Sequence, residues 1–300
     1  MDIRHLRSFV VLAEELHFGR AADRLGLSQP PLSQQIQALE ADLGAALFAR
    51  TSRRVDLTDV GRIFLAEARA AIDRFDRAVA AGRRAAKGEL GEIRISFTSS
   101  APLSDAMPGL IRAFRHARPD VHLTLQEMLS QHQLAALREG TMDVAFLRGP
   151  GDFVAGDTSI ETIELGREEV LLFMAKGHPL AQTPADRRID MRELAGETFV
   201  HFARESGATT YAQLYELCRA AGFEPVIAQE AREAATLISL VAAGLGLTLL
   251  ATSVRAIDLP NVVTRRLAEP APTLSTWIAH RRGDTAPAVR AFVETARRLA

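Results

Sequence analysis

Two groups of residues in this 300-residue chain have types and spacings suited to recognition chemistry. The first is Gln29, Pro30, Pro31, Ser33, Gln34 and Gln37. Leu32, Ile36, Leu39 and Leu43 recur at helical period through 31–43, which leaves Ser33, Gln34 and Gln37 facing away from the apolar stripe. A glutamine amide can bond adenine through a bidentate pair, and a proline ring can meet a thymine methyl group. Shortly after come Arg50, Thr51, Arg53 and Arg54, side chains suited to gripping phosphates without reading bases. For each arginine the plainer reading is a solvated surface charge. The second group is rich in hydroxyls. Thr98, Ser99 and Ser100 lie between a strand-like and a helix-like segment, and Ser130 is placed similarly. Hydroxyls beside the first amides of a helix form a ready anion site, although serine and threonine there often act only as N-caps. His201, Phe202 and Arg204 follow another strand-like run, Thr248 begins one and Arg148 ends one. Arg148 either faces a ligand or pairs with a neighbouring carboxylate.

The expected catalytic signatures are missing. There is no Gly-x-Ser-x-Gly elbow, His-Glu-x-x-His or Walker loop. The Gly244-Leu245-Gly246 run follows a helix-like stretch and precedes a strand-like one, the reverse of a dinucleotide-binding turn. The 8 histidines are scattered without metal spacing. Glu168 and Glu169 are adjacent in a strand-like edge, so they point to opposite faces. Cys218 is the only cysteine, which excludes an internal disulfide and a multi-cysteine zinc site. We therefore expect no catalytic residues, no metal and no cofactor. Lys and Arg total 36 against 37 Asp and Glu, so any affinity for nucleic acid must come from local clustering. Residues 234–254 carry no charge, but Gly244, Gly246 and several hydroxyls interrupt them; they read as a buried helix, a glycine stop and a buried strand rather than a membrane span.

These residues need elements to position them. Leu6, Phe9, Val10 and Ala13 have helical spacing, as do Ala21, Ala22 and Leu25, and Gly26 is a natural stop. Pro31 restricts Pro30 to extended backbone, so the next helix is expected with Pro30 as its cap and Pro31 as its first residue. Two helices joined by a tight turn can present the second to a major groove. Thr58 can cap a further helix running to about Lys87. Its Phe64, Ala68, Ala71 and Phe75 follow the alternating three-four spacing of a coiled-coil seam. About 30 residues of helix would extend roughly 45 Å, more than one small domain can cover. A second copy of the chain is the simplest partner; packing on its own chain is the alternative. After a hinge at Lys87-Gly88-Glu89-Leu90-Gly91, strand-like and helix-like runs alternate, which implies parallel sheets with helices on both faces, arranged in two lobes around a cleft.

The run AADRLGLSQPPLSQQIQALEADLGAALFART followed by LTDVG resembles the winged helix of LysR-type transcriptional regulators, and MDVAF, GHPL and LVAAGLGLTLL are similar to later family segments. The resemblance spans essentially the whole chain. It implies an α/β protein with an N-terminal all-α winged helix-turn-helix, a long linker helix, and a two-lobed effector domain like the periplasmic binding proteins. The corresponding domains are 1–58, 59–88 and 89–300, with lobe I at about 89–162 and 267–300 and lobe II at about 163–266. Segments such as FTSSAPLSDAMPGLIRAFRHARPDVHLTLQEM further resemble the subgroup controlling aromatic-compound degradation. That implies a cytoplasmic bacterial activator, switched by a small carboxylate of the muconate or benzoate type. It would bind double-stranded promoter DNA as a homodimer or homotetramer and engage RNA polymerase. Many relatives carry arginine where this chain has Gln34, which alters any guanine contact there. Two other readings are a solute-binding protein without a DNA role and an architectural DNA-binding protein without a switch.

Overall fold

The computed structural model describes residues 1–50, 54–149, 154, 156–204 and 209–300. It divides into two compact units, Met1–Arg84 and Ala85–Ala300.

The first unit opens with helix α1 (Ile3–Glu15), then α2 (Phe18–Leu25) and α3 (Gln29–Leu43). Asp2 caps α1 by accepting from the Arg4 and His5 amides. Gly26 and Gly44 end α2 and α3 with positive φ, a conformation that costs glycine nothing. The two-stranded wing, β1 (Phe48–Arg50) and β2 (Val55–Leu57), pairs antiparallel. Phe9, Leu12, Ala21, Leu32, Ile36, Leu39 and Leu47 are fully buried and form one core beneath all three helices. Leu43, expected on the same stripe, is 37% exposed because α3 is ending there.

Helix α4 (Asp59–Ala86) is fixed by its first turn. The Thr58 hydroxyl accepts from the Gly61 amide at 2.9 Å and donates to the Ala46 carbonyl at 2.8 Å. Two positions expected in the coiled-coil seam belong instead to the chain's own core. Ala68 is buried, and Phe64 packs on Phe9 with ring centroids 5.1 Å apart. The reason is register: the first turns of α4 lie over the wing base, so their apolar face is already used. Ala71 and the 44%-exposed Phe75 lie beyond that core.

The second unit differs from the expected parallel arrangement. Strands β3 (Gly91–Phe97), β4 (Val121–Glu127) and β5 (Val144–Gly149) are parallel. The two longest strands, β6 (Ile160–Ala175) and β11 (Thr273–Arg281), run antiparallel to each other and β11 antiparallel to β5. The first part of β6 pairs β11; the rest pairs β9 (Thr248–Ala251) and β10 (Val262–Arg266). One strand therefore passes through both lobes. Helices α5 (Ala106–Ala117), α6 (Ser130–Glu139) and α9 (Pro287–Leu299) cover the sheet of lobe I. In lobe II, β7 (Thr198–Phe202) pairs parallel with β8 (Val226–Ala231), flanked by α7 (Thr209–Ala220) and α8 (Ala234–Ala242). The uncharged 234–254 stretch is α8, a positive-φ Gly244, strand β9 and the start of a short 3-10 turn (Thr252–Ala256). No helix among the described residues is long and apolar enough to cross a membrane.

Candidate functional sites

The first site is the exposed face of α3. Burial of Leu32, Ile36 and Leu39 fixes the rotation of the helix, and this leaves Gln29, Pro30, Gln34 and Gln37 exposed with Pro31 and Ser33 partly so. The cap differs from expectation: Ser28 is the N-cap, Gln29 the first helical residue, and both prolines lie inside the first turn. First-turn amides have no intrahelical acceptor, so two prolines there forfeit no hydrogen bond, and the apolar stripe overrides the steric bias on Pro30. Glu40 ties the far end of α3 to the wing by accepting from the Leu47 amide at 2.8 Å. Arg54 is exposed at the start of the wing's return strand. Arg50 ends β1; its side chain, with Thr51 and Arg53, lies outside the described residues.

The second site is a cavity of about 300 Å³ between the lobes of the second unit. Thr98, Ser99, Ser100, Ser130, Arg148 and Phe202, six of the residues singled out in the sequence, line it together. The hydroxyl residues arrive from the loop after β3 and from the first residue of α6. The Thr98 hydroxyl is buried and has no hydrogen-bond partner among the described residues. The other three do not line this cavity: His201 and Thr248 are buried within lobe II, and Arg204 is exposed. Strand alternation explains His201: on β7, Val200 and Phe202 share one face, so His201 turns to the opposite one.

Arg148 lines the cavity and also pairs with a neighbouring carboxylate. Its side chain is only 3% exposed and donates to Glu168 at 2.7 Å, to the Ser100 carbonyl at 2.9 Å and to the Ser253 hydroxyl at 3.2 Å. Glu168 also accepts from the Ser253 amide at 2.8 Å. Burial pulls the guanidinium below its usual pKa, with Glu168 opposing, yet an arginine stays protonated. The result is an ion pair in the cavity wall that joins β5, β6 and the 3-10 turn after β9.

The rest of the lining was not singled out from the sequence. Val170, Leu214, Leu249, Leu250, Ala251, Val254 and Leu274 are buried and apolar. Met128, Leu129 and Leu217 add to them, while Gln213 contributes an amide that donates to the Thr273 carbonyl at 3.1 Å. Glu127, Arg232 and Glu233 are the exposed charges of the lining. No cluster of three metal-ligating side chains occurs among the described residues.

A three-helix unit with a two-stranded wing and a two-lobed α/β unit that encloses a cavity are mirrored in known proteins. Residues 3–62 match the family described as bacterial regulatory helix-turn-helix protein, lysR family, and residues 86–300 match the LysR substrate binding domain. The chain belongs to the LysR family of transcriptional regulators. It is 43% identical over 293 residues to the regulator YnfL of Escherichia coli (strain K12), covering 97% of this chain and 96% of that one. Full-length CbnR complexed with its target DNA superposes with a TM-score of 0.84 at 29% identity, covering 100% and 99% of the two chains. Full-length BenM gives 0.60 at 32% identity, covering 100% and 96%. This LysR-family chain is thus a DNA-binding transcriptional regulator with an effector-binding domain, in a family of regulators rather than enzymes.

Proposed function

We propose that this regulator is a cytoplasmic activator whose binding to, or bending of, promoter DNA is switched by a small carboxylate from aromatic catabolism held in the inter-lobe cavity. The observation that carries the reading is the buried, unpartnered Thr98 hydroxyl in a cavity that also holds Ser99, Ser100 and Ser130. A buried donor without an acceptor is costly, and a carboxylate oxygen supplies one. Ser130 opens α6, so the positive end of that helix dipole adds to the attraction. The resemblance of the 97–128 region to aromatic-degradation regulators supports the metabolic setting. Thr98→Val keeps shape and removes the hydroxyl. Because that hydroxyl bonds none of the described residues, affinity for benzoate should fall about tenfold with no loss of melting temperature. Calorimetry beside a thermal melt tests this; unchanged affinity would remove Thr98 from the site.

On DNA, the exposed face of α3 reads bases in the major groove, and the arginines from Arg50 to Arg54 hold phosphates. Gln34→Ala should relax base preference at one position. Arg54→Ala should weaken every sequence alike and reduce the salt slope by about one. Binding titrations at several salt concentrations separate the two, and an unaltered salt slope for Arg54→Ala would rule out its phosphate contact. Two copies, paired through the part of α4 beyond Ala68, would present two α3 helices to an interrupted inverted repeat, and two such dimers would form the tetramer. As an activator the assembly would engage RNA polymerase.

A further inference from the structure

Resting on the carboxylate reading above, we propose that the effector carries a single carboxylate on an otherwise apolar, uncharged body. The argument is a charge balance of the lining. One pole of the cavity is built from the hydroxyls of Thr98, Ser99, Ser100 and Ser130, which can solvate one anion. Among the described residues the one buried cation in the lining, Arg148, is already matched by Glu168 at 2.7 Å and has further acceptors in Ser100 and Ser253. It has no net charge left to offer a second carboxylate. The Gln213 amide donates to the Thr273 carbonyl.

The rest of the described buried lining is apolar: Val170, Phe202, Leu214, Leu249, Leu250 and Leu274 are all buried. An anion forced against that wall would lose its hydration with nothing in return. The exposed part of the lining does not rescue it. Arg232 stands there beside Glu233, and Glu127 adds a second carboxylate, so the exposed charges repel a further anion on balance. A dicarboxylate therefore fits the cavity poorly, whereas an aromatic or branched monocarboxylate meets hydroxyls at one end and hydrocarbon at the other.

Shape-matched probes test this on the full chain by calorimetry. Para-isopropylbenzoate and terephthalate have the same branched outline and differ in replacing an apolar end by a second carboxylate; para-isopropylbenzamide removes the charge altogether. We expect para-isopropylbenzoate to bind about a hundredfold more tightly than terephthalate, the scale of an uncompensated buried charge. Glu168→Gln releases the charge of Arg148 without changing shape, and should narrow that gap to about tenfold or less. Leu217→Arg supplies a cation from α7 by a separate route and should narrow it likewise. Equal or tighter binding of terephthalate by the unaltered protein would overturn the single-carboxylate proposal while leaving the carboxylate reading in place. Binding of the amide in preference to both acids, or of none of the three, would overturn the carboxylate reading and this proposal with it. A gap unchanged in both variants would overturn the charge balance argued here.

Discussion

Gly61→Ala is expected to destabilise the DNA-binding unit by about 3 kcal/mol or more, at the upper end of what overpacking costs. A Cβ at position 61 would stand 2.1 Å from the Leu47 carbonyl oxygen and 3.0 Å from a methyl of Leu57. Neither neighbour can step aside. Leu47 is fully buried, its amide bonds Glu40, and its carbonyl takes both the Thr58 amide at 3.0 Å and the Thr58 hydroxyl at 3.2 Å. Relief therefore requires the start of α4 to lift off the wing base, which opens the contact of Phe64 with Phe9 and uncovers Ala68. The loss propagates to α3 because Leu47 lies only four residues beyond its end at Leu43 and its amide donates to Glu40 of that helix. We expect a lowered melting temperature for the first transition and loss of DNA retention by the full chain. An unaltered melt would mean that the helix and wing are not in this close contact.

Asp143→Ala should cost lobe I about 3 kcal/mol, the lower end for breaking a buried ion pair, since its partners are partly wet. Asp143 has a side chain only 10% exposed between Arg94, at 2.7 Å, and Arg281, at 3.1 Å. The Arg94 amide also donates to it at 2.9 Å. Arg281 in turn reaches the Leu137 carbonyl and Asp284, so removing one carboxylate takes an acceptor from two guanidiniums that hold β3, β11 and the end of α6 together. Burial works to raise the Asp143 pKa, but hydrogen bonds from Arg94 and Arg281 outweigh it and hold the carboxyl below its usual range. A depressed folded-state pKa gives stability that is complete above the unfolded value, about 4, and is lost as pH falls through the folded one. The difference between parent and variant in urea midpoint should thus be full at neutral pH and shrink in acid. A difference that stays constant into strong acid would assign the effect to packing instead.

The exposed face of α3 was legible because a single stripe dictates it. Leu32, Ile36 and Leu39 can be buried only one way, and the polar residues between them are then exposed. Pro30 was misplaced because dipeptide sterics act locally while the stripe acts over the whole helix. The hydroxyl pole of the cavity was legible from strand-to-helix loops. The hydrocarbon wall was not, because Leu214, Leu249 and Leu274 have the same pattern as core residues; only tertiary placement separates a cavity wall from a filled interior. The first part of β6 escaped for a definable reason. Between Thr276 and Trp277 the pairing shifts register, so that Glu164 and Gly166 face consecutive residues of β11 and Leu165 is the extra one. A bulge breaks the period of two that marks a strand, and it hid the stretch of β6 that precedes Glu168. The parallel sheet inferred from alternation failed for a related reason: β6 and β11 are long enough to run through the sheet antiparallel to their neighbours, and alternation reports connections rather than strand direction.

The most direct test of the regulatory account is whether the cavity and the DNA face are energetically linked. Benzoate would be titrated by calorimetry into the full chain alone and into the full chain bound to a DNA fragment that it has itself selected from a random pool, with the DNA bend followed in parallel. An effector that switches a regulator must bind the two states differently, typically by about fivefold or more. We expect unequal Kd values and a changed bend, with Thr98→Val moving both titrations to about tenfold higher benzoate. Identical affinities for the free and DNA-bound protein, with the bend unaltered at saturation, would contradict the account.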